Sequence, residues 1–250
     1  MATETEGKRK LPDAALKQYL MRYARYASVH PSMSVGYGPW NLNDEQVSRV
    51  MLESAQLHGR LHPYLYSAAV ETHRSGFPHT MTPLPLAFPD DPAVYALENT
   101  TRRGYQWLIG DALMAIPLYG DDYATSTTRD VYLPPGRWIE YDTGVVHEGP
   151  ATLSNFAIPV TRNPLMVGGT GIVVEERGER LLARLYPVSV KSSTVFHHKD
   201  GRDTTIQVDV RAWNAPVEVA TDGGQHVAAK HDGVALAFPI APGAKYRVRN

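Results

Sequence analysis

The chain has 250 residues, 43% of them hydrophobic, so it is long enough for one large domain or two smaller ones with a sizeable core. Its 25 Lys and Arg residues nearly balance its 26 Asp and Glu residues, and the net charge of -1 argues against a general binder of nucleic acid or of acidic membranes. The absence of cysteine excludes disulfides, thiolate catalysis and cysteine-ligated zinc.

The N-terminal residues 1–12 are polar and predict a poorly docked tail. They lack the apolar core of a signal peptide, and no stretch of the sequence reaches the ~20 apolar residues of a membrane-spanning helix. These features favour a cytosolic location, with which a chain without cysteine is compatible.

A first helix is expected over residues 13–28, with Asp13 as its cap. Its apolar residues recur at i, i+3 and i+4, which is the pattern of an amphipathic helix. Pro31 disfavours helical backbone in the residue before it and so ends the helix. A short strand at 32–35 and a loop at 36–40 are expected to follow.

A second, longer helix is expected over about 44–74, with Asn43 or Asp44 as its cap. Pro63 predicts a kink within it, and Gly76 is the expected stop. The order of helix, short strand, loop and helix is typical of one segment of an α/β barrel, although a complete barrel takes ~250 residues by itself.

Short apolar runs bounded by turn residues replace the helical periodicity from Phe77 onward. Several of them alternate apolar and polar residues, as half-buried antiparallel strands do. The predicted strands include 130–133, 138–142, 165–167, 172–175, 181–186, 194–197, 205–212, 217–220, 226–229, 235–240 and 245–248. We therefore predict an α+β fold, mainly β, with two helices in residues 1–76 followed by antiparallel β-sandwich units at 77–175 and 176–250.

The segment 104–138 predicts a β-meander. Its apolar runs end at Gly110-Asp111, at Gly120-Asp121-Asp122 and at Pro134-Pro135-Gly136. The last of these is expected to form a strong turn, because proline presets φ and glycine accepts positive φ.

Histidines supply two candidate metal sites. His58 and His62 have the i, i+4 spacing of zinc ligands, but the metalloprotease motif needs Glu where this chain has Gly59, and no third ligand is evident. The second candidate set is His197, His198, Asp200 and Asp203. Because Lys199-Asp200-Gly201 has the composition of a hairpin turn, a structural role is favoured here too. No metal and no cofactor is predicted.

No other motif completes a catalytic constellation. The run 168–171, Gly-Gly-Thr-Gly, lacks the further glycine and the strand–helix context of a dinucleotide loop. The acidic pairs Asp90-Asp91 and Asp121-Asp122 lie in turn signals, where solvated carboxylates are commoner than catalytic pairs. The loop 36–40 is more informative. It places Tyr37 and Trp40 after a short strand, where the loops of α/β barrels face the active site. Trp40 is predicted either to stack on a sugar or to be part of the core.

A longer series of residues resembles glycoside hydrolase family 31. It comprises His62-Pro63-Tyr64-Leu65-Tyr66-Ser67, Glu71, His73, Gly76, Pro78, Pro83-Leu84, Phe88-Pro89-Asp90-Asp91-Pro92, Gln106-Trp107-Leu108-Ile109-Gly110-Asp111, Ala115, Pro117, Arg129-Asp130-Val131-Tyr132-Leu133-Pro134-Pro135-Gly136-Arg137-Trp138, Tyr141-Asp142-Thr143-Gly144 and Glu148-Gly149. These residues follow in order over about 20–175. Residues 176–250 resemble the family's last β domain only weakly.

The resemblance implies a place in a larger architecture, in which a catalytic (β/α)8 barrel is followed by proximal and distal C-terminal β-sandwiches. Residues 1–76 would be the end of the barrel, 77–175 the proximal domain and 176–250 the distal domain. The family's catalytic aspartates lie upstream of the matching region, and no residue of this chain corresponds to either.

The resemblance also implies four substrate-binding residues: Arg22, Ser34, Gly36 and Trp40. Ser34 and Gly36 stand where many members have Arg and His. Pro31-Ser32-Met33, Pro39-Trp40 and Leu57-His58 are more similar to a divergent branch that contains α-galactosidase-like members.

Two functions of different classes follow. The first is the C-terminal portion of a retaining glycoside hydrolase of α-glycosides, which would be inactive alone and would bind a carbohydrate substrate. The second is a non-catalytic carbohydrate-binding or structural β-sandwich protein. For the first, we expect that the apolar faces of the two helices are not all covered, so that the chain self-associates or needs a polypeptide carrying the rest of the barrel. The alternative is that the two helices fold back on the sandwich and bury each other.

Overall fold

A computed structural model of the chain describes residues 13–97, 105–118 and 124–250. Its α-helices are α1 (Asp13–Ala27), α2 (Glu45–Ser75) and the single turn α3 (Leu84–Ala87), and 3-10 turns lie at Pro39–Asn41 and Pro92–Tyr95. Within these described ranges, no helix has the length and apolarity needed to cross a bilayer.

Local signals place the helix ends as predicted. The Oδ1 atom of Asp44 accepts a hydrogen bond from the backbone N–H of Val47 at 3.0 Å, so Asp44 is the N-cap of α2. Gly76 ends that helix with φ of 75°, a left-handed conformation that favours glycine. The helix continues through Pro63, whose missing N–H is tolerated because tertiary packing buries this part of α2.

Strands make up most of the remaining described chain. They are β1 (Thr82–Pro83), β2 (Trp107–Ile109), β3 (Leu113–Ala115), β4 (Thr128–Glu140), β5 (Val146–Ala157), β6 (Leu165–Val167), β7 (Ile172–Arg177), β8 (Arg180–Leu185), β9 (Lys191–His197), β10 (Asp203–Asp209), β11 (Glu218–Thr221), β12 (Lys230–His231), β13 (Leu236–Ile240) and β14 (Lys245–Arg249). They form a six-stranded sheet in the order β1-β2-β3-β6-β4-β5 and two four-stranded sheets, β11-β14-β10-β9 and β12-β13-β8-β7. The predicted fold class, mainly β with helices concentrated before residue 77, is confirmed.

Three details of the sequence prediction are wrong. Residues 32–35 are not a strand, since none of the described strands lies beside them to complete a ladder. The segment 104–138 is not a meander, because β6 inserts between β3 and β4. Strands β10 and β14 pair in parallel, whereas the other described pairs in the three sheets are antiparallel.

Pro134-Pro135-Gly136 is also not a turn. Strand β4 runs straight through it, and the register with β5 shifts between Leu133 and Gly136. A bulge is one of the few places where a sheet accommodates proline, because the ladder hydrogen bonds are interrupted there. The chain reverses instead at 141–144, where Gly144 has φ of 73°.

The strands β2, β3 and β6 of the six-stranded sheet are buried on both faces. In β2, β3 and β6 the residues alternate strictly, so that Leu113 and Val167 face α2 while Met114 and Met166 face the opposite side. The side that faces α2 packs against its apolar residues Leu57, Leu61, Tyr64 and Leu65. This shared core seats the long helix firmly on the sheet.

The two four-stranded sheets enclose a second core and form a sandwich. Phe196, Ile206, Phe238 and Val248 are among the buried residues between them. All pairings of β7 are with β8, so the predicted division after residue 175 falls inside a strand of this sandwich.

The expectation of uncovered helix faces is wrong for most of their length. Leu20 and Met21 of α1 pack on Val47, Val50 and Met51 of α2, and all five are buried. The second half of α2 is covered by the sheets. The helices can therefore bury each other and pack on the β-structure without further protein, which is the alternative that hydrophobic burial favours.

Candidate functional site

The connection between α1 and α2 forms an exposed edge of the molecule. After α1 ends, residues 31–36 are mostly exposed, and the 3-10 turn Pro39–Asn41 precedes the cap of α2. Trp40 is 79% exposed, so it is not part of the core. A large ring in this position remains available to a ligand.

Gly38 sets the direction of the Trp40 ring. A Cβ atom on Gly38 would lie 2.2 Å from Cε2 of Trp40, so only glycine lets the ring rest on the backbone there. Ser34 and Gly36 are exposed at the same edge, and the carbonyl of Ser34 accepts a hydrogen bond from the Tyr23 hydroxyl at 3.2 Å. The structure thus brings Ser34, Gly36 and Trp40 together, and their contact with a sugar stays a prediction.

Arg22 lies apart from these three residues and is buried. Its guanidinium donates to the backbone carbonyls of Ile158 and, at 3.0 Å, of Ser126. No carboxylate is among these acceptors, and burial lowers the pKa of Arg22 to about 10. The Arg22 side chain therefore links α1 to the segments that flank β4 and β5 of the six-stranded sheet.

The histidines of this region hold the helices together. Nδ1 of His30 lies 2.8 Å from the carbonyl of Tyr26, and Nδ1 of His58 lies 3.3 Å from that of Ser28. The His30 ring also packs against Trp107, with centroids 4.9 Å apart. Within the described ranges no group of three His, Cys, Asp or Glu residues could hold a metal ion.

These contacts predict a stability that falls with acidification. Burial lowers the pKa of His30 and of His58, and repulsion by neighbouring histidines lowers both further. A histidine with a depressed folded-state pKa binds protons more readily when unfolded, so its contribution is complete above ~6.5 and is lost as pH falls. We expect the free energy of unfolding to decrease from pH 7.5 towards pH 5.5, by at most about 1.4 kcal/mol per pH unit for each histidine.

Urea unfolding of His30→Gln across this pH range measures the effect. The slope should become shallower than in the parent, whereas His226→Gln, which changes an exposed residue, should leave it unaltered. A parent slope of zero, or an identical slope in His30→Gln, would contradict the prediction.

A cleft of about 520 Å³ lies between the last turns of α2 and strand β9. Its walls carry Ser67, Glu71 and Arg74 from the helix and Ser193, Val195 and His197 from the strand. His197 joins the walls: Nδ1 lies 2.7 Å from Asp203 Oδ1, and Nε2 lies 3.2 Å from Glu71 Oε2. His197 and Asp203 belong to the second predicted histidine set, whereas their helix partners Glu71 and Arg74 lie too far away in the sequence to be predicted with them.

Asp111 forms the floor of this cleft. Its Oδ1 accepts from the Tyr64 hydroxyl at 3.2 Å, and its backbone carbonyl accepts from the Thr170 hydroxyl at 3.4 Å. Asp111 stays accessible to solvent, but the protein atoms around its carboxyl partly desolvate it and raise its pKa. The Gly110-Asp111 sequence predicts a turn but not the position of Asp111 in a cleft, because the residues that contact Asp111 lie far away in the sequence.

The remaining motifs have structural roles. The backbone N–H of His198 bonds the carbonyl of Arg202 at 2.9 Å, which closes the predicted hairpin turn. Asp91 caps a 3-10 turn through Ala93 and accepts from the Tyr132 hydroxyl at 2.5 Å. The pair Asp121-Asp122 lies outside the described residues.

Relatives of known activity resemble parts of this chain. A 1,6-alpha-glucosyltransferase of Sporosarcina globispora is 28% identical over 65% of this chain and 13% of its own length. Alpha-glucosidase 2 of Bacillus thermoamyloliquefaciens is 35% identical over 44% of this chain and 13% of its own length. The chain thus spans about an eighth of the length of these relatives.

Solved structures extend the likeness in fold to nearly the whole chain. A Flavobacterium johnsoniae GH31 dextranase superposes with a TM-score of 0.73 at 19% identity, covering 94% of this chain and 37% of its own. A cycloalternan-forming enzyme from Listeria monocytogenes superposes with a TM-score of 0.70 at 21% identity, covering 95% of this chain and 28% of its own.

The sequence profile of the glycosyl hydrolase family 31 C-terminal domain matches residues 78–173. These residues contain all of the six-stranded sheet and the start of β7. Residues 78–173 are therefore identified as a glycosyl hydrolase family 31 C-terminal domain, and the chain as a whole is similar to parts of this family's enzymes.

Proposed function

We propose that this chain supplies the end of the catalytic barrel and the C-terminal β domains of a retaining hydrolase of α-glycosides. Under this proposal residues 1–76 complete the barrel, 77–175 form the proximal domain and 176–250 form the distal domain. The α-glucosidase and glucosyltransferase relatives support an α-linked glycoside as the substrate class.

One observation carries the proposal. The connection between α1 and α2 leaves Ser34, Gly36 and Trp40 exposed on one edge, while both helices are seated on the β-structure. Residues 32–35 would become a barrel strand once they pair with the rest of the barrel, and the loop that follows a barrel strand faces the active site, so this edge would border the sugar pocket. Trp40 would stack on the sugar, and Arg22 would hold α1 in place beneath the pocket.

Catalysis would depend on residues that this chain does not supply. A retaining enzyme needs a nucleophile and an acid/base whose carboxyl groups are ~5–5.5 Å apart. We expect the purified chain alone to hydrolyse no aryl α-glucoside or aryl α-galactoside above background. Turnover that survives repurification, and that a single Asp or Glu substitution in this chain abolishes, would contradict this expectation.

An immunoprecipitation tests the proposal itself. An antibody raised against the chain should recover α-glycosidase activity from an extract of the source cells. It should also detect these residues either in a polypeptide much larger than 27.7 kDa or together with a second polypeptide. Recovery of an inactive 27.7 kDa chain that still binds oligosaccharides would favour the non-catalytic carbohydrate-binding function instead.

We also propose that the rest of the barrel contacts the edge and the outer side of α2. Val35, Trp40 and Leu52 are exposed large hydrophobic residues in this region. Sedimentation velocity at several concentrations should show self-association of the isolated chain, and Trp40→Ser combined with Leu52→Ser should reduce it. A monomer at every concentration that binds no hydrophobic dye would contradict the proposal.

A further inference from the structure

We propose that the cleft between α2 and β9 binds a neutral saccharide at a site separate from the exposed edge. None of the residues that line the cleft belongs to the connection between α1 and α2. Its volume of about 520 Å³ lies within the usual range for small-molecule sites. It is bordered by both the helix and the distal sandwich, so a ligand there would contact two parts of the fold.

The charges of the cleft favour a neutral ligand. Its carboxylates are Glu71, Asp111 and Asp203, so an anion would be repelled. A cation would have to compete for these carboxylates with Arg74, whose Nη1 lies 3.9 Å from Oδ2 of Asp203 and 3.0 Å from Nδ1 of His197. Glu71 is already paired with His197, and Asp203 is paired with both His197 and Arg74. A ligand without net charge leaves these pairs intact.

Polar atoms remain for such a ligand to use. Glu71 engages His197 through Oε2, which leaves Oε1 as an acceptor, and Arg74 uses Nη1, which leaves Nη2 as a donor. The Ser193 side chain is exposed on the opposite wall and both donates and accepts. Sugar hydroxyls also both donate and accept hydrogen bonds. They therefore complement these donors and acceptors better than a ligand group that can only donate or only accept.

An apolar side chain completes the site. Val195 is 48% exposed on β9, between Ser193 and His197, and it lines the cleft. An apolar surface flanked by polar groups suits a sugar ring, whose C–H face is apolar and whose edge carries hydroxyls. No exposed aromatic ring lines the cleft, so we expect weaker binding than a stacking site provides.

The test is an NMR titration of the full chain with methyl α-D-glucopyranoside and with isomaltose. The imidazole signals of His79 and His197 report on the cleft, and that of the exposed His226 serves as a reference. We expect saturable shifts at His79 and His197 alone. Glucuronate and glucosamine, the charged counterparts, should bind more weakly.

Matched variants locate the binding. Ser193→Trp fills the cleft and Glu71→Gln removes an acceptor charge, so both should weaken binding at least about tenfold. Ser154→Trp, an equivalent change at an exposed serine of β5, should leave it unchanged. The proposal is overturned if no neutral saccharide shifts the signals, if glucuronate binds equally well, or if Ser193→Trp binds like the parent. These readouts measure binding in the chain itself, so they are independent of whether the larger enzyme hydrolyses α-glycosides.

Discussion

Glu175→Gln is expected to destabilise the protein by about 3–5 kcal/mol, because it leaves buried guanidinium charge without its main counter-ion. Glu175 is fully buried in β7, and its Oε1 accepts from Nη1 of Arg184 at 3.0 Å. The same oxygen accepts from the Tyr141 hydroxyl at 2.6 Å, and Oε2 accepts from Arg177 at 2.8 Å. Arg184 also reaches Asp232 at 2.7 Å, but that carboxylate is partly exposed and compensates less.

The pH dependence gives a second readout of this network. Burial is the largest single influence and would raise the pKa of Glu175, but Arg184, the Tyr141 hydroxyl and Arg177 together outweigh it, so the pKa is lowered. A carboxyl with a depressed folded-state pKa stabilises the protein fully above its unfolded pKa, ~4.3, and loses that contribution as pH falls. The difference between the parent and Glu175→Gln should therefore be largest near neutral pH and shrink in acid.

Glu176→Gln is the matched control, since the neighbouring side chain is exposed. It should change the free energy of unfolding by no more than about 0.5 kcal/mol. Thermal and urea unfolding, each monitored by circular dichroism, provide the measurement. Equal stability of the two variants would show that the Glu175 network contributes little.

This network also marks the limit of what the sequence could predict. The stretch from Glu175 to Arg180 is rich in charged residues, which is typical of an exposed connection, and its hairpin reverses the chain at Gly178, with φ of 63°. Yet Glu175 is buried, because Tyr141 and Arg184 converge on it from distant strands. A local sequence pattern indicates the alternation of a strand, but it does not indicate which distant residues pack over that strand.

The same distinction separates the correct from the incorrect fold predictions. Helix ends and strand positions depend on neighbouring residues, and Asp44 and Gly76 act where their residue types indicated. Sheet order depends on residues far apart, so neither the insertion of β6 nor the parallel pairing of β10 with β14 could be read from the sequence. The exposed loop with Trp40 was predictable from its glycines, whereas the cleft was not, because α2 and β9 each contribute only part of it.

Gly169→Ala is expected to destabilise the protein by about 2–5 kcal/mol, through two costs that can be separated. Gly169 has φ of 53°, a left-handed conformation that costs an alanine about 1–2 kcal/mol. In addition, a Cβ atom there would lie 2.1 Å from the backbone carbonyl oxygen of Asp111. Relieving that overlap adds about 1–3 kcal/mol, because backbone cannot rotate away as a side chain can.

Hydrogen bonds explain why the backbone cannot yield at this crossing. The N–H of Gly168 donates to the carbonyl of Ala112 at 2.8 Å, and that of Thr170 donates to the carbonyl of Asp111 at 3.0 Å. These two hydrogen bonds hold the segments 111–112 and 168–170 together on either side of Gly169. The glycine-rich run 168–171 thus permits a close approach of two backbones and needs no nucleotide to explain it.

Gly178→Ala isolates the conformational cost. Gly178 has φ of 63°, similar to that of Gly169, but a Cβ atom there would have nothing within 4 Å. Gly178→Ala should therefore lower the free energy of unfolding by about 1–2 kcal/mol, which is the cost of the left-handed backbone alone. Chemical unfolding of both variants beside the parent measures the difference, which is the energy of the backbone overlap. Equal losses of stability in the two variants would contradict the prediction. They would show that the loop at Gly169 moves away from Asp111 at little cost, so that the backbone crossing is not rigid.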